Sequence, residues 1–164
     1  MRLRVGDMFS DPCLGILVAT TNASVTESGS LVMGRGAARR LAAKHPGIPL
    51  VFGSMIVAMG CASPASRMSV QCMAGSGEKP YRFITSDGCG AFQVKGCWWH
   101  AASLDLVRAS AEAMSVTAGG MLSTEFWMNF PGIGNGRLRR DDVLPIIERI
   151  LPDNVLVWEL SGGA

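Results

Sequence analysis

The chain has 164 residues, which predicts a single domain over 1–160 and a short flexible tail at 161–164. Its 15 basic and 13 acidic residues give a formal net charge of only +2. This balance excludes a strong global field for nucleic acid or membrane surfaces, so any recognition of a charged partner must be local.

The cysteines and the start of the chain bear on the compartment. The odd number of cysteines and the lack of a CxxC pair favour a reduced interior over a disulfide framework or a structural zinc site. These cysteines are Cys13, Cys61, Cys72, Cys89 and Cys97. Residues 1–7 carry positive charge without an apolar core, so they do not resemble a signal peptide, and a cytoplasmic location is expected.

Short apolar runs with β-branched residues predict strands along the whole chain. The candidates are Leu14–Ala19, Leu50–Met59, Met68–Met73, Tyr81–Thr85, Ala91–Val94, Phe126–Phe130 and Val155–Leu160. The stretch 49–62 is the most apolar, but it is shorter than the roughly 20 residues of a membrane-spanning helix. We therefore interpret it as a buried strand and expect no membrane partner.

Three helices are predicted between these strands, at Ala37–Lys44, from Ser103 to about Val116, and from Asp142 to about Leu151. Ser103 is the expected N-cap of the second helix. That helix has four apolar residues on one face: Leu104, Val107, Ala111 and Met114. Pro145 is compatible with the third helix if it lies in the first turn, where N–H groups have no intrahelical acceptor.

The alternation of apolar strands and helices predicts an α/β fold, a three-layer α/β/α sandwich with a mixed central sheet. Glycine-rich turns at 75–77 and 87–90 join successive strands, so part of the sheet should be antiparallel.

Two glycine loops precede predicted helices. In the later one, Gly132, Gly134 and Gly136 alternate with Ile133 and Asn135, and backbone without Cβ atoms can surround an anion with N–H groups. The earlier loop contains Gly34, Arg35 and Gly36. Two loops of phosphate size on one small domain predict a diphosphate ligand, although each loop alone is also compatible with an ordinary turn.

The sequence resembles the macro domains, a family that binds ADP-ribose. The similar segments are Val5–Met8, Val18–Ala23, Gly34–Ala37, Phe92–Lys95 and Pro131–Leu138. The last loop and the helix after it are most similar to one branch of the family. That branch contains DNA ADP-ribosylglycohydrolase antitoxins, terminal ADP-ribose protein glycohydrolases and macro-like proteins of bacterial viruses.

The resemblance implies a role for each segment. Asp7 would accept a hydrogen bond from the adenine amine, and Met8 would contact the ligand beside it. Asn22 would hold the distal ribose and take part in catalysis, while the loops Gly34–Gly36 and Gly132–Gly136 would bind the diphosphate. From the residues alone, a turn is the favoured interpretation of Asp7, and Asn22 is at least as compatible with an Asx-turn.

Lys95 is the main catalytic candidate, because the similar glycohydrolases have an essential lysine at the end of the corresponding strand. Its amine would act at C1″ of the distal ribose, which requires a lowered pKa. A solvent-exposed lysine is the alternative interpretation. The terminal glycohydrolases carry an acidic residue where this chain has Gly136, whereas the DNA-directed antitoxins have Asn-Gly there.

Two further groups have both functional and structural interpretations. Trp98, Trp99 and His100 could stack on a base or simply pack against the domain. Arg137, Arg139 and Arg140 could attract a phosphodiester or form a solvated basic face.

The sequence therefore predicts an ADP-ribose-binding protein that hydrolyses an ADP-ribosyl linkage on DNA or protein. The alternatives are a non-catalytic module that binds ADP-ribose or a nucleotide signal, and a phosphatase for ADP-ribose 1″-phosphate. No metal and no cofactor are expected. The sequence gives no indication of the oligomeric state.

Overall fold

The computed structural model describes residues 1–10, 12–64 and 79–160. The strands are β1 Arg2–Val5, β2 Ile16–Thr21, β3 Ser24–Val25, β4 Ser63–Pro64, β5 Phe83–Ser86, β6 Cys89–Gln93, β7 Phe126–Asn129 and β8 Val155–Glu159. The helices are α1 Gly36–Lys44, α2 Ile48–Ala58, α3 Leu104–Gly119 and α4 Arg140–Ile150. A 3-10 turn covers Gly134–Gly136.

Six strands form one mixed sheet in the order β1-β8-β7-β2-β6-β5. The first five are mutually parallel, and β5 pairs with β6 in the antiparallel direction. A turn at Asp87-Gly88 joins that antiparallel pair, as its glycine-rich sequence predicted. The short strands β3 and β4, which the sequence did not predict, form a separate parallel pair.

Helices cover both faces of the sheet and create two apolar cores. On one face, α3 and α4 bury Val107, Met114 and Val143 against the sheet. On the other face, α1 and α2 bury Leu41 and Phe52. The predicted three-layer α/β/α sandwich with a mixed sheet is confirmed.

Most predicted elements occur within a few residues of their predicted positions, including the strands that became β2, β5, β6, β7 and β8. Helix α3 has its predicted apolar face, and Ser103 is its N-cap residue, although its side chain forms no capping hydrogen bond. The predicted strand at 68–73, the turn at 75–77 and the tail at 161–164 lie outside the described residues.

The prediction of a strand over Leu50–Met59 was wrong, because this segment is helix α2. The buried residues Ile48, Phe52 and Ile56 recur every four positions, as on one face of a helix. Exposed apolar residues such as Leu50 and Val57 hid this period in the sequence. A run of that length also favours a helix over a strand.

The predicted position of Pro145 in a first helical turn was also wrong. Helix α4 begins at Arg140, two residues earlier than predicted, so Pro145 lies in the second turn. A proline there removes one intrahelical hydrogen bond. Burial of Val143, Ile146 and Ile147 against the core holds the helix in spite of that loss.

Cysteine chemistry differs from the expectation of a reduced interior. Cys13, Cys61 and Cys89 are free thiols, whereas Cys97 is disulfide-bonded.

Within the part of the chain that the structure describes, no single helix is long and apolar enough to cross a membrane. Only α1 and α2 taken together pass that test, as a pair bent by 113°.

The close contact between α2 and a preceding loop gives a stability prediction. In an open helix, Gly→Ala stabilises by up to about 1 kcal/mol. At Gly53, however, a Cβ atom would lie 1.9 Å from the carbonyl oxygen of Gly29. We expect Gly53→Ala to lower the free energy of unfolding by about 3 kcal/mol, measured by urea denaturation.

Gly119 provides the matched control, because it lies in α3 with open space around its Cβ position. Gly119→Ala should leave stability unchanged or raise it slightly. Equal effects of the two substitutions would contradict the proposed contact between α2 and Gly29.

Candidate functional site

The parallel arrangement brings the carboxyl ends of five strands to one edge of the sheet. After β2 the chain continues to α1 on one face, whereas after β7 it continues to α4 on the opposite face. Adjacent strands whose connections leave in opposite directions create a crevice, where ligands of open α/β sheets bind. In this structure the crevice lies between β2 and β7.

Side-chain hydrogen bonds join β2 and β7 at this edge, where their backbones are no longer paired. Backbone pairing of β2 with β7 ends at Val18 and Met128. Beyond that point the amide of Asn129 accepts a hydrogen bond from the Thr20 N–H at 3.0 Å and donates to the Thr20 hydroxyl at 2.9 Å. The Asn129 side chain thus replaces a main-chain ladder where the crevice opens.

The glycine loop after β7 borders the crevice. Gly132 and Gly134 have φ values of +78° and +65°, which favour glycine. A Cβ atom on Gly132 would lie 2.6 Å from Leu138, and one on Gly136 would lie 3.0 Å from Ala102. Packing within the protein therefore explains Gly132 and Gly136, whereas the space beside Gly134 is open.

This loop has backbone donors available for an anion. Hydrogen bonds from the N–H groups of Gly136, Arg137 and Leu138 to carbonyl oxygens of the same loop close its turn. Among the described residues, the N–H groups of Ile133, Gly134 and Asn135 have no main-chain or side-chain acceptor. Three successive N–H groups without acceptors form the kind of concavity that binds phosphate.

The second glycine loop leads into α1. Gly34, Arg35 and Gly36 are exposed, and neither glycine has a neighbour within 4 Å of its Cβ position. The first internal hydrogen bond of α1 runs from the Arg39 N–H to the Arg35 carbonyl. No described residue supplies an acceptor for the preceding N–H groups at the start of the helix. The positive end of the helix dipole also favours an anion there.

Lys95 lies near both glycine loops and interacts with a positive charge from each. It follows β6 by two residues and is half-buried. Burial lowers its pKa below the ordinary value, and the positive charges of Arg137 and Arg35 lower the pKa further. Since Arg137 ends the later glycine loop and Arg35 caps α1, Lys95 lies within the field of both. Among the described residues, no carboxylate contributes to this shift.

Asn22 is buried at the carboxyl end of β2, and the protein already uses its amide. Its Oδ1 accepts a hydrogen bond from the Ser24 N–H at 2.8 Å, which is an Asx-turn, and its Nδ2 donates to the Val32 carbonyl at 2.8 Å. One N–H of Nδ2 and one lone pair of Oδ1 have no partner among the described residues. The role of Asn22 at a ribose stays a prediction.

Asp7 lies just after β1 and is paired with an arginine that the sequence analysis missed. Both carboxylate oxygens accept hydrogen bonds from Arg40 of α1, each at 2.7 Å, and Oδ1 also accepts from the Phe9 N–H at 3.0 Å. The Arg40 guanidinium and then the Phe9 amide hold the pKa of Asp7 below its usual range. Met8 is buried in the adjacent core.

A cavity of about 470 Å³ opens beside Lys95. It lies outside the glycine loops, and the formally charged residues in the described part of its wall are Lys79 and Lys95. Its polar lining residues are Ser63, Lys79, Gln93, Lys95, His100 and Ser103. Gln93 is buried, with its Oε1 bonded to the Arg82 N–H at 3.1 Å. This volume suits a small group bound next to the Lys95 amine.

The aromatic residues that follow Lys95 pack against one another. Trp98 and Trp99 form an edge-to-face pair with ring centroids 5.4 Å apart, and Trp99 contacts His100 in the same way at 5.6 Å. All three are half-buried. Of the described residues, no group of three or more His, Cys, Asp and Glu could hold a metal ion.

No family model and no curated protein sequence matches this chain, but solved structures do. The macrodomain of Thermus aquaticus DarG is 19% identical and aligns with 97% of this chain and 95% of its own, with a TM-score of 0.64. Thermosipho africanus DarTG in complex with ADP-ribose is 19% identical and covers 99% of this chain and 42% of its own, with a TM-score of 0.63. The macrodomain of Mycobacterium tuberculosis DarG is 15% identical, with a TM-score of 0.59 and coverage of 94% and 97%.

The chain has the macrodomain fold. The structure brings the two glycine loops and Lys95 together around the crevice of this fold, whereas Asp7 lies with Arg40 and Phe9. Sequence reasoning missed Arg40, because a single arginine inside a helix has no signal that identifies its partner. It also missed the electrostatic effect of Arg35 and Arg137 on Lys95, which depends on contacts between distant loops.

The effect of Arg137 and Arg35 on Lys95 predicts how the pKa of Lys95 changes when one of the arginines is replaced. Removing one neighbouring charge should make protonation of Lys95 easier, so Arg137→Gln should raise the pKa of Lys95. Burial, the largest cause, should still keep that pKa below its ordinary value. The chain has three lysines, so an NMR titration of isotope-labelled lysine can follow Lys95 directly.

Arg139→Gln is the matched control, because Arg139 is close in sequence and exposed but does not affect the pKa of Lys95. An unchanged Lys95 pKa in Arg137→Gln would show that the two charges are not coupled.

Proposed function

We propose that this protein binds ADP-ribose and hydrolyses the bond between C1″ of its distal ribose and an attached group on DNA or protein. The diphosphate binds at the two glycine loops, and Lys95 acts at C1″. The observation that carries the proposal is the position of Lys95. It lies within the field of Arg35 and Arg137, which belong to the two loops, and it also lines a cavity.

The charges around the crevice favour a ligand with two negative groups. Two arginines near Lys95 lower its pKa, so three cationic groups lie close together, and no carboxylate among the described residues contributes to that shift. The open N–H groups at 133–135 and at the start of α1 add directional donors. A diphosphate would relieve the repulsion among the cations and supply acceptors for these donors. The ADP-ribose bound in the Thermosipho africanus structure contains such a group.

Lys95 has the properties that a nucleophilic amine requires. A lowered pKa increases the fraction of neutral amine near neutral pH. The neutral amine can attack C1″ as the bond to the attached group breaks and the ribose ring opens, which gives an imine and the protonated leaving group. Water then hydrolyses the imine, releases ADP-ribose and restores the amine. The same amine in its charged form could instead stabilise the opened sugar.

A binding module that holds ADP-ribose without chemistry is the second candidate function. The specific observation that favours it is the state of Asn22, whose amide is already bonded to Ser24 and Val32. In the part of the chain that the structure describes, no carboxylate contributes to the pKa shift of Lys95, and such a group could otherwise have served as a general acid. A phosphatase for ADP-ribose 1″-phosphate would need the same adenine and diphosphate contacts. It would differ from the hydrolase only at the reacting end of the pocket.

The open space beside Gly134 gives a binding prediction. Gly134→Val would put a branched side chain into the proposed phosphate space, and ADP-ribose affinity should fall by about 2 kcal/mol, roughly thirtyfold. Isothermal titration calorimetry measures this change. Gly60 is the matched control, since it has a similar φ of +68° and open surroundings at the end of α2.

Gly60→Val introduces similar backbone strain away from the loop and should leave ADP-ribose affinity unchanged. Unchanged affinity in a folded Gly134→Val variant would remove this loop from the ligand site.

The role of Lys95 gives a catalytic prediction. Lys95→Ala should abolish release of ADP-ribose from modified DNA or protein, while binding of ADP-ribose changes little. Lys95→Arg should fail as well, because a guanidinium stays protonated near neutral pH and cannot attack C1″. In the unmodified protein, the rate should rise with pH through the lowered pKa of Lys95, as the amine loses its proton.

The assay presents ADP-ribosylated DNA and ADP-ribosylated protein in parallel and quantifies free ADP-ribose. Lys44→Ala is the control, since Lys44 is exposed at the end of α1. Full turnover by Lys95→Ala would disprove the mechanism. Tight ADP-ribose binding without turnover of any substrate would favour the binding module.

A further inference from the structure

The cavity beside Lys95 has positive charge and hydrogen-bond donors in its wall. The formally charged residues in the described part of that wall are Lys79 and Lys95, and no described residue forms an ion pair with either. Lys79 is exposed, whereas Lys95 is half-buried. Two amines at one cavity of about 470 Å³ favour an anion inside it, because no carboxylate in the described wall balances their charge.

Gln93 adds a buried donor to the same wall. Its side chain is held in place, since Oε1 accepts from the Arg82 N–H at 3.1 Å and Nε2 donates to the Lys95 carbonyl at 3.4 Å. Ser110 also fixes the main chain there by donating to the Gln93 carbonyl at 2.7 Å. The second N–H of Nε2 has no acceptor among the described residues. Because a buried amide donor without an acceptor is costly, a ligand atom that accepts from it would be stabilised.

The segment before α3 supplies two further donors. Ser103 lines the cavity, and its hydroxyl forms no capping hydrogen bond to the helix that follows. His100 also lines the cavity, and an imidazole ring has at least one N–H to donate. The first turn of α3 reaches the wall at Leu106, whereas Asp105, the acidic residue of that turn, is exposed and does not line the described wall. The donors therefore meet no competing carboxylate there.

The number of these donors favours a phosphate over a carboxylate. A carboxylate has two oxygens in one plane and a single charge, whereas a phosphate monoester has three acceptor oxygens around a tetrahedral centre and up to two charges. Side chains on β6, on the segment before β5 and on the segment before α3 all contribute donors, so they approach the cavity from different directions. The cavity is also larger than one phosphate, which leaves room for part of a molecule that carries it.

We propose that this cavity is a phosphate subsite, separate from the two glycine loops, in which Lys79, Gln93 and Ser103 bind the phosphate oxygens. Lys79 is the cation available for this task, since the proposed chemistry uses Lys95 at C1″. The phosphate could belong to the group attached at C1″ or be free inorganic phosphate, which has the same binding chemistry. Its assignment to the attached group rests on the proposed function, whereas the subsite itself does not.

The lysines provide a direct test, because the chain has only three of them. Inorganic phosphate is titrated into protein with isotope-labelled lysine in the presence of saturating ADP-ribose, which occupies the glycine loops. The NMR signals of the Lys79 and Lys95 side chains should shift and reach a plateau. The signal of Lys44, which is exposed at the end of α1, should not move. Potassium chloride at equal ionic strength controls for screening.

Lys79→Gln should weaken the phosphate affinity reported by the Lys95 signal at least about fivefold, as expected for losing a hydrogen bond between charged groups. Lys44→Gln is the matched control, because it removes the same charge away from the cavity and should leave the affinity unchanged. Thermal denaturation of each variant checks that the fold is retained.

A kinetic comparison identifies the source of the phosphate. The substrates are an ADP-ribosylated nucleoside and the same nucleoside carrying 3′- and 5′-phosphates, and free ADP-ribose is quantified. If the phosphate belongs to the attached group, the phosphorylated substrate should have a KM at least about fivefold lower, and Lys79→Gln should remove most of that difference. Equal KM values, with inorganic phosphate raising both in the unmodified protein but not in Lys79→Gln, would assign the subsite to the free ion.

The outcomes separate this inference from the proposed function. Parallel shifts of all three lysine signals without a plateau would mean screening only, and the inference would be wrong. Loss of the phosphate response once ADP-ribose is bound would place the phosphate at the glycine loops and would also overturn it. If ADP-ribose does not bind but phosphate shifts Lys79 and Lys95 to a plateau that Lys79→Gln weakens, the proposed function fails and the phosphate subsite stands.

Discussion

Burial of Lys95 beside two arginines is the constraint on which the site depends. Lys95, Arg35 and Arg137 come from three different loops, and burial followed by the charges of the two arginines lowers the pKa of the lysine. In the protein without ligand, this environment favours the neutral form of the amine. The same concentration of positive charge creates an electrostatic preference for anions at the two loops.

Sheet topology explains why these charges meet. Parallel strands have their carboxyl ends at one edge, and the helices that follow β2 and β7 leave toward opposite faces. The side chain of Asn129 forms hydrogen bonds to Thr20 where the main-chain pairing of the two strands has ended. Beyond that point the chain continues from each strand toward one of the two glycine loops. The crevice is thus a consequence of strand order, and the loops add donors and charges to its rim.

The surroundings of Lys95 and of Asp7 differ in their physical character. At Lys95, burial and then the charges of Arg137 and Arg35 lower the pKa of the amine, and a cavity with two lysines in its wall lies beside it. At Asp7, the carboxylate accepts hydrogen bonds from Arg40 at both oxygens and from the Phe9 N–H. The first environment suits reactivity, because desolvation changes a pKa. The second joins the loop after β1 to helix α1.

The sequence by itself determined strands β2, β5, β6, β7 and β8, three of the four described helices and the glycine loops, because their local patterns match the periods and turn preferences of the backbone. It failed at α2, where apolar residues on the exposed side hid the helical period. It also failed at Pro145, which lies in the second turn of α4 because the helix begins at Arg140. Tertiary structure alone decided the pairing of Asp7 with Arg40 and the effect of Arg35 and Arg137 on Lys95. These interactions join residues far apart in sequence, and no local pattern specifies which side chains the packed sheet and helices will bring within reach.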